Sequence, residues 1–257
     1  MPYGIRLNTA MYRFLYSPKW MILHVLVALS VFVMVNLAFW QIDRLHQRQS
    51  FNAVLTARIP AASAPLADVL AKYPKPSDAE WYRVTAAGTY LRGEDVTVVN
   101  VIQDGQAGHD GVTPLLLDNG QVLLVNRGFV PLSMVIPQAP AGRVSIEGRL
   151  RVSAVRRTGA VSDASAGDLS EVQRIDIDRL AGQLPNKPVA MYVELLGSNP
   201  ADSERLSRIN DPVFTNGAHL SYSLQWFLFS SFAIAGWLFA VRHEIQIRKK
   251  INVAGEL

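Results

Sequence analysis

Two long apolar stretches enclose a middle in which apolar and polar residues alternate. Residues 20–41, WMILHVLVALSVFVMVNLAFWQ, carry no formally charged side chain, and neither do residues 222–241. At 1.5 Å per residue the first stretch reaches ~30 Å, the thickness of a bilayer's hydrocarbon core, so each stretch is predicted to be a membrane-spanning helix. Trp20 and Trp40 bracket the first, and Trp226 and Trp237 stand toward the ends of the second, where interfacial anchors belong. A cleaved signal peptide would have an apolar region of roughly 7–15 residues and a small-x-small cleavage site. Neither feature occurs near residue 41, so the first stretch is read as an uncleaved anchor.

Between the spans the period changes. A short helix is expected near residues 51–58, followed by an Ala/Pro/Ser-rich linker, IPAASAPLADVLAKYPKPSD, with room for one helical turn. Strand patterns follow in EWYRVTAAGTYL, DVTVVNVI and TPLLLDNGQVLLVNRGFVP. In the last of these, two β-rich runs flank Asn119-Gly120, a dipeptide that tolerates positive φ at both central positions of a tight hairpin turn. TGAVSDASAGDLS reads as a mobile loop, SEVQRIDIDRLAGQL as a helix capped by Ser170, and RVSIEGRLRV and PVAMYVELLG as strands. The fold class is therefore two transmembrane α-helices flanking one β-rich α+β domain or partly open barrel, without internal repeats. Five segments result: an N-terminal tail (1–19), a first span (20–41), a β-rich domain with linkers (42–220), a second span (221–241) and a C-terminal tail (242–257).

Charge gives the orientation. Arg6, Arg13 and Lys19 precede the first span and Arg242, Arg248, Lys249 and Lys250 follow the second, against Arg44, Arg48, Arg205 and Arg208 on the inner flanks. The positive-inside rule puts both termini in the cytoplasm and the domain on the extracytoplasmic side. A mitochondrial targeting remnant would be longer and richer in serine, so a bacterial plasma membrane is the expected location. The net charge of +4 and the pI near 9.4 come from basic residues spread along the chain, with no basic patch interleaved with stacking aromatics, which argues against a nucleic-acid partner. A hydrophobic fraction of 49% and a mean hydropathy of +0.14 fit a few spans plus one domain. The absence of cysteine removes disulfides, thiolate metal sites and iron–sulfur clusters.

The common enzyme signatures are missing. His243 has no second histidine four residues on, and no G-x-S-x-G, Walker A or dinucleotide fingerprint occurs. The carboxylates of EVQRIDIDRL sit among arginines, the pattern of a solvated salt-bridged face, so no enzyme is expected. Of the five histidines, His243 lies in a basic tail, His24 near the inner end of the first span and His109 in a Gly-rich turn. His46 and His219 both fall just outside the membrane on the extracytoplasmic side. On a helix, His219, Tyr222 and Trp226 share one stripe, with Gln225 beside it. Two readings of that stripe stand: an interfacial aromatic belt with one histidine facing headgroups, or an imidazole ligand to haem iron with the macrocycle against aromatic surface.

At the level of motifs the chain resembles the Surf1/Shy1 family of cytochrome c oxidase assembly factors. LAFWQIDRLHQR, WYRVTAAGTYL, GVTPLLLDNGQVLLVNRGFVP and HLSYSLQWF occur in that family's order, and the resemblance covers nearly the whole chain. It implies a non-enzymatic, membrane-anchored factor that binds haem a or hands it to the oxidase catalytic subunit, with the lipid bilayer and the oxidase as partners. The alternative within the same setting is a structural accessory subunit that does not bind haem. Trp40, Gln41 and Arg44 match the family's W-Q-x-x-R, Arg127-Gly128 its R-G, and His219, Tyr222 and Trp226 its H-x-x-Y-x-x-x-W, whose histidine would be the iron ligand. Arg44 and Arg208 are the expected partners of the haem propionates, and His46 is a possible second ligand. Ala38, Phe129 and Gly217-Ala218 depart from the family pattern, which at Ala38 implies looser helix packing. Copper delivery is disfavoured by the lack of cysteine and of a Met/His cluster.

Overall fold

A computed structural model describes residues 12–156, 158–164 and 167–254, with side chains to residue 251. Arg6 of the N-terminal tail and residues 255–257 lie outside the described residues. The chain divides into two compact units, residues 1–53 with 214–257, and residues 54–213.

The first unit is a pair of helices. After a 3-10 turn at Arg13–Tyr16, α1 (Pro18–Arg58) starts on a proline, which is favourable at the first helical position because its missing N–H has no intrahelical partner there. It runs 17 residues beyond Gln41, so the short helix expected at 51–58 is the end of α1. Nothing between Ile42 and Arg58 is glycine or proline, and the helix stops before Pro60. The closing helix of the chain (His219–Ala254) is equally uninterrupted by proline. Both helices are long and apolar enough to cross a membrane, and only 6% of the most apolar stretch of each is buried. Met21, Ile22, Leu26 and Phe32 on α1, and Leu228, Phe232 and Phe239 on the other, would cost free energy in water and suit hydrocarbon.

The second unit is built on a barrel. A two-residue strand β1 (Ala64–Pro65) and two short helices, α2 (Leu66–Lys72) and α3 (Pro76–Ala79), occupy the linker. The strands that follow are β2 (Arg83–Tyr90), β3 (Val96–Gln103), β4 (Gln106–Leu117), β5 (Val122–Pro131), β6 (Arg143–Val152), β7 (Glu171–Val172) and β8 (Met191–Asn199). Helix α4 (Ile177–Leu180) precedes β8, and the closing helix is α5. Going round, β2 pairs with β6, β6 with β8, β8 with β5, β5 with β4 and β4 with β2 again. The ring is closed rather than partly open. Its closure rests on Gly88↔Leu117, Thr89↔Leu116 and Tyr90↔Leu115, and all its pairs are antiparallel except β5–β8.

Two-residue periodicity divides the burial between two faces. Leu123 and Val125 of β5, Leu150 of β6 and Met191, Val193 and Leu195 of β8 point into the barrel, with Val69 and Leu66 of α2 completing that core. The alternate residues Val112, Leu124 and Tyr192 face outward, where Val96, Val98, Val172, Ile175, Ile177 and Leu180 cover them as a second core.

That outer layer corrects the helix expected from Ser170. Glu171–Val172 instead pairs parallel with β3, and the helical part is confined to Ile177–Leu180 and the 3-10 turn Ala181–Gln183 that continues it. Its N-cap is Asp176, whose side chain accepts from the Arg179 N–H. Val172, Ile175, Ile177 and Leu180, spaced 3, 2 and 3 apart, all bury in an extended segment plus one turn. Three of them are β-branched, which favours extended backbone. Arg174 pairs with Asp163 at 3.5 Å, so the expected salt-bridged carboxylate face is not helical. The stretch read as a mobile loop is tied down in its described residues: Gln173 N–H donates to Asp163, and Arg179 donates to the carbonyls of Ala164 and Gly167.

The hairpin at Asn119-Gly120 is present between β4 and β5 with a longer loop than the dipeptide implies. Leu117 N–H donates to Gln121 O and Gly120 N–H to Leu117 O, giving a three-residue loop in which Gly120 alone has positive φ, +81°. The two-residue turn lies one hairpin earlier, where Asp104 (φ +52°) and Gly105 (φ +77°) join β3 to β4 across the Gln103↔Gln106 pair. His109 is accordingly on strand β4, opposite Val130, and not in a turn.

Candidate functional site

The helix pair carries polar side chains along its seam. On α5 the residues turned away from solvent recur at His219, Ser223, Trp226, Ser230, Ala233 and Trp237, a spacing of four and three that defines one face of a helix packed against a neighbour. On α1 the matching face contains His24, Val27, Val31, Ala38 and Gln41. Ala38, Ser223 and Ser230 are almost fully buried, and small side chains let two backbones approach closely. Ala38 thus packs tightly at the position where looser packing was expected. Ser230 satisfies its hydroxyl by donating to the Trp226 carbonyl one turn earlier.

Two side-chain pairs fasten this seam, ~26 Å apart by helical rise. At one end His219 Nδ1 lies 2.9 Å from Gln41 Oε1. At the other, the Trp237 indole N–H donates to His24 Nδ1 over 2.9 Å. His24 also meets the Trp20 ring, which meets Phe14, so an aromatic chain lines that end. Beside it opens an apolar groove of about 530 Å³ lined by His24, Val27, Val31, Phe32, Ile234 and Trp237.

His219 is the first residue of α5, and the Tyr222 N–H bonds to the carbonyl of Ala218 just before it. Its Nε2 edge passes over Gly217, where an added Cβ would stand 3.4 Å from Nε2, so that edge borders backbone. The expected stripe of 219, 222 and 226 is rotated by the real packing. Trp226 is half-buried on the seam and edge-on to Phe229, whereas Tyr222 and Trp40 are more than half exposed on the flanks. The structure therefore brings together Gln41 and His219 and leaves Tyr222 and Trp40 as outward aromatic surface. Arg44, one turn after Gln41, is exposed and donates to Gln47 Oε1 at 2.6 Å. His46 is exposed, and five residues from Gln41 it falls well off the seam.

The barrel unit holds the other sequence-predicted positions. Arg127, on β5, is buried; its Nε and Nη2 donate to the two carboxylate oxygens of Asp202 at 2.8 and 2.6 Å, and its Nη1 donates to the Pro137 carbonyl at 2.8 Å. A planar guanidinium is suited to this fork-on-fork pairing. Thr113 accepts from Arg127 at 3.3 Å and donates its own hydroxyl hydrogen bond to Asp95. Gly128 has φ +137°, and an added Cβ would stand 2.6 Å from the Ser207 carbonyl oxygen. That close approach lets Phe129 and Ser207 exchange two backbone hydrogen bonds, 2.8 and 2.9 Å. Arg208 belongs to this unit: its carbonyl accepts from Gln103, and it lines a pocket of about 250 Å³ with Arg127, Asp202 and Leu206.

Sequence reading missed a buried charge network on the outer face of the same sheet. Arg149, 1% exposed, pairs with Glu194 at 3.0 Å and with Asp211 and donates to the Ile209 carbonyl. Arg151 pairs with Glu194 at 2.6 Å and with Glu80 at 3.1 Å, and lies 3.8 Å from the Trp81 ring centroid. Asp110, buried nearby, accepts from Asn126, and burial pushes its carboxyl above the usual range. Burial also pushes the Tyr192 phenol up to about 12. Nothing in GRLRV marks its arginines as buried. The segment after β8 is thus tied to the barrel at Asp202 and Ser207 by β5 and at Asp211 by β6. Among the described residues no group of three or more His, Asp or Glu side chains could hold a metal ion.

Residues 28–231 match the SURF1 family. An uncharacterized SURF1-like protein of Mycobacterium tuberculosis is 28% identical over 244 residues, covering 92% of this chain and 89% of its own length. A SURF1-like protein of Monosiga brevicollis is 29% identical over 228 residues, covering 82% and 84%. A match to Rickettsia felis is shorter, 25% over 108 residues. With the family match extending from within the first apolar helix, through the barrel, into the second, the chain belongs to the SURF1 family.

Proposed function

We propose that this protein is a membrane-anchored assembly factor for a haem-copper cytochrome c oxidase, holding haem a or passing it to the catalytic subunit, with His219 as the iron ligand. Family membership supports the role in oxidase assembly. The observation that carries the haem assignment is the seam pair His219–Gln41: Nδ1 is engaged with an amide oxygen, and the opposite, Nε2 edge lies beside the backbone of Gly217. A neutral imidazole held in this way is a competent ligand to haem iron. The exposed faces of Tyr222 and Trp40, flanking that pair, offer aromatic surface to a macrocycle, with half-buried Trp226 beside them. Arg44, on the helix that carries Gln41, is the candidate partner of a propionate, since a guanidinium fork matches a carboxylate. When bound, the iron would supply the spectroscopic signature; this chain supplies the ligand, its orientation and an apolar surround.

The two long helices cross the bacterial plasma membrane with both termini in the cytoplasm and the barrel on the extracytoplasmic side. The excess of Arg and Lys at the two tails supports that orientation. The test is purification in detergent from cells with and without haem a synthesis. The protein made with haem a carries a Soret band, and the protein made without it does not. A haem-free protein that stays bound to the assembled oxidase in both cases would instead be a structural accessory subunit.

A further inference from the structure

Which nitrogen of His219 carries the proton decides whether the ring can bind a metal, and the seam answers that question. An imidazole nitrogen coordinates through a lone pair, so the other nitrogen must hold the proton. Gln41 Oε1, 2.9 Å from His219 Nδ1, is a carbonyl oxygen and can only accept. Nδ1 is then the donor and Nε2 the nitrogen with the free lone pair. Gln41 sits well inside the continuous helix α1, which ends at Arg58, on the face shared with Ala38, which is fully buried. Its reach is therefore fixed by helix packing and not by a loop.

We infer that Gln41 is the positioning residue of the site, holding His219 in the Nδ1–H tautomer so that Nε2 is presented to iron. The inference rests on the proposed haem role of His219 for its purpose, and on the hydrogen bond alone for the tautomer. Partners of this kind, which bond the second nitrogen of a ligating histidine, fix the ring's orientation and raise its basicity; removing one costs ~10–100-fold in metal affinity.

The test uses the full-length protein in detergent with ¹⁵N-labelled histidine. Long-range ¹H–¹⁵N correlation on the haem-free protein assigns each ring's tautomer. The expected spectrum shows His219 protonated at Nδ1 and unprotonated at Nε2. In Gln41→Leu the Nδ1 acceptor is gone, and His219 should become a tautomer mixture while haem retention falls ~10–100-fold. Gln41→Glu should restore the Nδ1–H tautomer and, with haem bound, shift the Soret band and lower the midpoint potential relative to wild type, because a carboxylate acceptor makes the ring a stronger donor to iron. A residue that merely packed the seam would move neither the tautomer nor the potential. Protonation at Nε2 in the wild type, or an unchanged tautomer in Gln41→Leu, overturns the inference whether or not haem binds. A wild-type protein with the Nδ1–H tautomer that never takes up haem a overturns the haem reading and leaves the tautomer assignment standing.

Discussion

The two ends of the helix pair hold the same residue type in opposite chemical states. At one end a histidine meets an amide oxygen, at the other an indole N–H. An indole nitrogen can only donate, so His24 Nδ1 must be the acceptor, and in the neutral ring the proton sits on Nε2. His24 therefore has no lone pair free: Nδ1 is used by Trp237, and Nε2 carries hydrogen. His219 has one at Nε2. The apolar groove of about 530 Å³ lies at the His24 end, so cavity volume and ligand chemistry point to different ends of the pair. Chemistry decides, because an apolar groove offers contact area alone, whereas a metal cannot be bound without a lone pair. The comparison teaches that a histidine's partner, more than its surroundings, sets what it can do.

Removing each imidazole in turn separates the two ends most directly. His219→Ala should abolish haem co-purification, while His24→Ala should change it less than twofold. Membrane insertion and abundance should stay near wild type in both, since each span keeps about twenty apolar residues. The measurement is haem per polypeptide from the pyridine haemochrome, with quantitative blotting for abundance. Equal loss in the two variants would mean that the seam as a whole, and not one lone pair, retains haem.

A second pair of variants, in the barrel, separates loss of fold from loss of ligand. Gly128→Glu puts a Cβ 2.6 Å from the Ser207 carbonyl in a conformation that disfavours side chains, so the Phe129–Ser207 bonds cannot persist. Strain plus a charge forced against buried backbone should cost about 4 kcal/mol or more, and protein level should collapse. Arg127→Lys keeps the charge but loses the fork on Asp202 and the bond to Pro137, which should cost about 2–3 kcal/mol in a thermal melt. In both, haem bound per surviving molecule should match wild type. A lowered haem ratio at normal abundance would place these residues in the ligand site instead of in the scaffold.

How far the sequence discloses this depends on the range of the interaction. The apolar stretches, the β4–β5 hairpin and the blocks of alternating residues are local patterns, and all are legible. Asp104-Gly105 is an equally local signal, but the glycines at 108 and 111 beside it blur the start of β4 and make His109 look like a turn residue. The segment from Ser170 has apolar spacing compatible with one face of a helix, and only the presence of β3 to pair with Val172 decides for extended backbone. Arg149, Glu194 and Asp211 meet through strand register and a return of the chain after β8, which no window of sequence contains. His219 and Gln41 are both visible as polar residues in apolar helices. Their pairing is not, because it depends on the antiparallel register of two segments 178 residues apart.

The smallest expected effect is also the sharpest test of the tautomer argument. Trp237→Phe keeps an aromatic ring beside His24 and removes only the indole N–H. Losing one hydrogen bond on a helix seam should cost about 0.5–1.5 kcal/mol, too little to unfold a pair that packs through Ala38, Ser223 and Ser230. Yet the constraint on His24 disappears: with no donor facing it, Nδ1 no longer has to be the acceptor, and the ¹⁵N spectrum should move from a pure Nε2–H ring to a mixture. His219, ~26 Å away along the helices, should keep its Nδ1–H tautomer unchanged. If His24 stays pure Nε2–H without Trp237, something other than the indole fixes it, and the rule that each seam partner dictates its histidine's proton fails at both ends.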